Sequence, residues 1–128
     1  MRERDVKIVD ATRLGRQITI TVAEQEQASF FTCLAMGTLY AIKMGVLPPS
    51  AGIWTVGRPK ISETLADLPA TPTELLHTME VADEFSALSQ LAPDKLQLLL
   101  ERLLLDMGNS LQRMPNPMWD IDLEISND

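Results

Sequence analysis

Between Pro93 and Leu111 the residues Leu96, Leu99, Leu100, Leu103, Met107 and Leu111 recur at intervals of three and four. That spacing predicts an amphipathic α-helix, and Pro93 suits its first position, where a backbone N–H has no partner to lose. Leu98, Leu104 and Leu105 carry apolar character further round the circumference, which marks this helix as either the central one or one that meets a partner. A second helical pattern runs from about Glu24 to Met44, with Phe30, Leu34 and Ala41 on one stripe and Phe31, Leu39 and Ile42 widening it. Glu24 and Glu26 lie where the helix dipole favours negative charge, Lys43 lies where it favours positive charge, and Gly45 can take the left-handed position after the last turn.

Shorter patterns fill the middle of the chain. Ser50 can cap a short helix in "SAGIWTVGRP", and Pro59 can open another in "PKISETLADL". In "TPTELLHTMEVADEFSALSQL", Thr71 is placed as an N-cap, Pro72 as the first helical residue and Glu74 as the far member of a capping box. The helix that starts there either breaks near Glu80 or continues as one bent element.

Period-two alternation marks both termini. "VKIV" and "QITITV" flank "DATRLGR" and read as a hairpin with a long loop. After "PNP" stops the long helix, Trp119, Ile121, Leu123 and Ile125 alternate with Asp120, Asp122, Glu124 and Ser126. A strand is predicted whose first row faces the core and whose carboxylates form one exposed ridge, about 7 Å apart on alternate residues. These elements together predict an α+β fold, mainly helical, with several helices packed on a small antiparallel sheet formed by the N-terminal hairpin and the C-terminal strand. Residues 1–128 are expected to make a single globular domain, the size at which a chain buries one core.

Charge narrows the range of partners. The chain has 11 basic and 18 acidic residues, a net charge of −7, which disfavours nucleic-acid binding because that requires basic surface to displace counterions from phosphates. Arg2, Arg4, Lys7, Arg13 and Arg16 do cluster, but Glu3, Asp5 and Asp10 dilute them and no aromatic residue lies among them for stacking on bases. Their expected role is to pair with the acidic last strand inside one sheet. The single cysteine, Cys33, and the charged start "MRERDVKIVD" suggest a cytoplasmic protein. The longest uncharged stretch, "QASFFTCLAMGTLYAI", is shorter than the ~20 residues that cross a bilayer, so no membrane association is expected.

Catalytic signatures are sparse. Glu74 and His77 lie three apart on one helix face, as in carboxylate-bridged metal bundles, but such a site needs two of these pairs. Glu80, Asp83 and Glu84 on the following turns could add ligands, although carboxylates on an exposed helix face are usually solvated. Cys33 stands in an apolar helix without a base to activate it, and neither a nucleophile elbow nor a phosphate-binding glycine loop with its lysine is present. The expectation is a protein with no catalytic residues, metal or cofactor.

The stretches "CLAMGTLYAIKMGVL" and "VADEFSALSQLAPDKLQLLLERLL" resemble those of small bacterial helical proteins, and the overall type is similar to immunity proteins of contact-dependent growth inhibition and related toxin systems. The resemblance implies a cytoplasmic inhibitor that blocks the basic active site of a toxin domain, often a nuclease. On the residues themselves, Asp120, Asp122 and Glu124, then Glu80, Asp83 and Glu84, are the expected docking carboxylates for a basic protein partner. Trp119 would serve as an aromatic anchor if it is not buried. Two other classes remain: a metal-dependent enzyme built on Glu74 and His77, and a non-catalytic subunit that joins an assembly through the leucine-rich face of residues 93–111.

Overall fold

The computed structural model describes residues 16–51, 59–68, 71–114, 119 and 121–127. In chain order these form β1 (Arg16–Val22), α1 (Glu24–Lys43), α2 (Pro59–Ala66), α3 (Thr73–Val81), a 3₁₀ turn (Ala82–Glu84), α4 (Phe85–Leu91), α5 (Pro93–Gln112) and β2 (Ile121–Asn127). The fold is α+β and mainly helical, and its sheet joins β1 to the C-terminal β2 in antiparallel order. "VKIV", the first strand of the expected hairpin, lies outside the described residues, as do most of the segment expected to follow Ser50 and the "PNP" after α5.

α5 is the central helix. Leu96, Leu100, Leu103 and Met107 are buried on one side of it, where it packs against α1, α3 and α4. Leu99 and Leu104 are partly buried at the margins of the core, whereas Leu98 and Leu105 face solvent. Pro93 separates α5 from α4 by a steric effect: a proline disfavours helical geometry in the residue before it, and Ala92 accordingly sits at φ −155°, ψ 71°.

α1 runs over the predicted length but buries a different stripe. Phe31, Ala35, Leu39 and Ile42 face the core together with Ala28, Thr32 and Thr38, while Leu34 is exposed and Phe30 and Ala41 are half-buried. Thr32 and Thr38 satisfy their hydroxyls on the carbonyls of Ala28 and Leu34, one turn back. At the far end Gly45 has φ +76°, and the bonds Gly45 N–H to Ile42 O (3.0 Å) and Val46 N–H to Ala41 O (2.9 Å) complete a Schellman motif.

The start of α3 departs from the expected capping box. The helix begins at Thr73, Pro72 occupies the N-cap without a side-chain bond, and the Thr71 hydroxyl donates instead to Leu65 O at 2.7 Å. Leu65 lies in the last turn of α2, where carbonyls lack helical partners, so Thr71 closes the previous helix and does not open the next. The bend near Glu80 is a true break: α3 ends at Val81 and the 3₁₀ turn leads into α4.

The two strands pair from Arg16↔Asn127 to Val22↔Ile121, with Ile18 opposite Ile125 and Ile20 opposite Leu123. Only the last of these pairs reaches the helical core, where Val22 is fully buried and its carbonyl accepts a bond from Gln27 Nε2 of α1 at 2.9 Å. The expectation that Ile121, Leu123 and Ile125 face the core is thus overturned. They are 37%, 58% and 56% exposed: among the described elements β2 packs chiefly with β1, and β1 with α1.

Candidate functional site

β2 projects its carboxylates as the alternation requires. Asp122 and Glu124 are exposed and lie on one face of the ribbon, opposite Thr21 and Thr19 respectively. Ser126 and Gln17 continue that face, and Gln17 Nε2 donates to the Thr19 hydroxyl at 3.3 Å. The row across from the acids is therefore polar and uncharged. Arg16 stands opposite Asn127 in the register, and Arg2, Arg4, Lys7 and Arg13, the rest of the basic cluster expected to pair with this strand, lie outside the described residues. Neither Asp122 nor Glu124 makes an ion pair among the described residues. Asp120 lies outside the described residues.

Trp119 packs against α1. Its ring meets Phe30 of α1 edge to face, with centroids 5.3 Å apart, and Phe30 in turn meets Phe31 at 5.2 Å. Such pairs stabilise by roughly 0.5–1.5 kcal/mol beyond area burial. The residue is half-buried, and its indole N–H is enclosed without an acceptor among the described residues. It is primarily a packing residue that secures the entry to β2 against α1.

Glu80, Asp83 and Glu84 are also exposed, at the end of α3 and in the 3₁₀ turn. Those elements pack with each other and with α2, α4 and α5, whereas β2 packs chiefly with β1, so the two acidic groups share no extensive packing.

The chemistry proposed for Glu74 and His77 meets a local competitor. The Glu74 carboxylate accepts a charge-assisted hydrogen bond from Arg113, just beyond α5, and a longer one from the Thr73 hydroxyl at 3.4 Å. Its own backbone N–H and the Arg113 guanidinium hold Glu74 below the usual carboxylate range. His77 is exposed, and among the described residues no three His, Cys, Asp or Glu side chains gather into a metal-binding group. Cys33 is half-buried, and burial pushes its thiol up, away from the reactive thiolate.

Two features of this surface were not anticipated from sequence. Arg113 as the partner of Glu74 depends on how α3 lies against α5, which no local pattern encodes. The exposed aliphatic row of β2 depends on how the sheet packs against the helices. Among the described residues no helix is long and apolar enough to cross a membrane. No known protein family, no characterised protein and no solved structure matches the chain.

Proposed function

We propose that this protein is a cytoplasmic, stoichiometric inhibitor of a basic protein partner, of the toxin-immunity kind, and that it acts by occluding the partner's active site. The observation that carries this reading is the β2 ridge: Asp122 and Glu124 are exposed opposite Thr21 and Thr19, so their charge is available to an incoming Lys or Arg. A strand that only needed protection from edge pairing would be served by one such charge. The net charge of −7 favours the same class of partner, since a field of one sign accelerates encounter with a basic surface. Leu123 and Ile125 are exposed on the opposite face of the ribbon, so a partner that wraps the strand would meet apolar as well as acidic surface.

The test is a tagged pull-down from the native cells, or from cells co-expressing the gene product encoded beside this one, with wild type and Asp120→Lys/Asp122→Lys/Glu124→Lys compared. Capture of a basic protein at one-to-one stoichiometry by wild type, and its loss with the folded variant, supports the reading. Capture that is indifferent to the substitutions and to added salt removes β2 as the docking surface.

A further inference from the structure

We infer that the exposed face of α5 is a self-association surface on which two copies of this chain pack antiparallel about a two-fold axis passing between Glu101 and Arg102. The residues that bury the core occupy one side of this helix; the other side carries Leu98, Glu101, Arg102 and Leu105, all exposed and spaced to lie on one stripe. Leu98 and Leu105 are 65% and 62% exposed, far more than leucines at the margin of a core.

The order of these residues selects the occupant. The segment reads "LLLERLLL" over residues 98–105, three leucines on each side of an acid and a base. An antiparallel two-fold about its midpoint sets Leu98 of one copy against Leu105 of the other, and Glu101 against Arg102, twice over. A two-fold interface uses one patch on both subunits, so the patch must complement itself, and this one does. Parallel packing would instead place Glu101 near Glu101 and Arg102 near Arg102, with like charges opposed.

The neighbouring helix extends the patch. Met36, Tyr40 and Lys43 share one side of α1; a methyl group at Gly108 of α5 would lie 3.7 Å from Met36 Cε, and Lys43 Nζ is 3.3 Å from Glu101 Oε1. Tyr40 falls between these two ties along α1 and is exposed. Arg102 lies 3.7 Å from Asp106, one turn on, and both it and Glu101 keep more than half their side-chain surface open to a second partner. Association of two copies is second order in the chain, so the dimer fraction rises with protein concentration. This surface is separate from β2, and the inference stands independently of the inhibitor reading.

Sedimentation equilibrium over a rising concentration series tests it. Wild type passes from monomer to dimer, and Leu98→Ser/Leu105→Ser, which alters only exposed positions and keeps its circular dichroism, stays monomeric. Glu101→Arg and Arg102→Glu each raise the dissociation constant about tenfold or more by opposing like charges. An equimolar mixture of those two variants regains the dimer, because each then supplies the charge the other lacks, and the double variant Glu101→Arg/Arg102→Glu regains it alone. A wild type that remains monomeric throughout, a dimer that survives the leucine substitutions, or a mixture that fails to recover would each overturn the assignment.

Discussion

Arg113, immediately past the last turn of α5, is bonded to Glu74 in the first turn of α3, so two helices distant in sequence are tied at their ends by one charged pair. The pair sits at the surface, where Arg113 is largely open to solvent, and an exposed ion pair of this kind contributes roughly 0.2–1 kcal/mol.

Glu74→Gln should lower stability slightly at neutral pH, and the deficit should shrink in acid. The folded protein holds Glu74 below its ordinary range, so the stabilisation is fully present above the unfolded-state value and is lost as pH falls through the lowered one. Thermal melts of wild type and variant across that acid range should therefore converge. A gap that is constant down to strong acid would show that the carboxylate charge contributes nothing.

Leu100→Ala should cost about 2–5 kcal/mol, as expected for a fully buried leucine whose neighbours cannot collapse into the space. Leu98→Ala, two positions earlier on the exposed side, should change monomer stability by less than about 0.5 kcal/mol. Urea unfolding at low protein concentration separates the two.

Thr71→Val should cost about 1 kcal/mol by leaving Leu65 O without the hydroxyl it accepts from. Thr73→Ala should cost less, since its hydroxyl makes only a long, exposed contact with Glu74. The opposite ranking in chemical denaturation would show that the Thr71 bond to Leu65 O contributes little.

Gly45→Ala should destabilise by about 1 kcal/mol through backbone strain, because an L-residue is penalised in left-handed geometry. Nothing lies within 4 Å of the added methyl, so no clash contributes. Gly45→Asn should recover part of the loss, since asparagine tolerates this geometry better, and calorimetry would register both changes.

How far the sequence reveals this fold depends on which interactions are local. α5 was legible because its stripe, its opening proline and its length all arise within the segment, and the Gly45 terminus was legible for the same reason. The buried face of α1 was not, since Phe30 and Phe31 offer two overlapping stripes and the choice depends on where α5 lies. Here the row with Phe31 and Ala35 is buried and Leu34 is left exposed. Thr71 carried a true signal for a bond but not for its direction, as the same hydroxyl can serve the helix behind or ahead. For β2, alternation correctly gave a strand and its acidic face. It could not reveal that the aliphatic face would also be open, because that depends on how the sheet packs against the helices.

The pairing of Arg16 with Asn127 joins the segments most widely separated along the described chain. Closing so long a loop costs entropy that only the completed ladder offsets, whereas the helices and their mutual packing gather from nearer contacts. The ribbon should therefore be the last part to assemble and, with one strand open to water on both faces, the first to come apart. Backbone amides of Ile121–Asn127 should exchange with deuterium well before those of Leu96–Met107. The acidic strand thus belongs to a unit that can detach and re-form while the helical core stays folded.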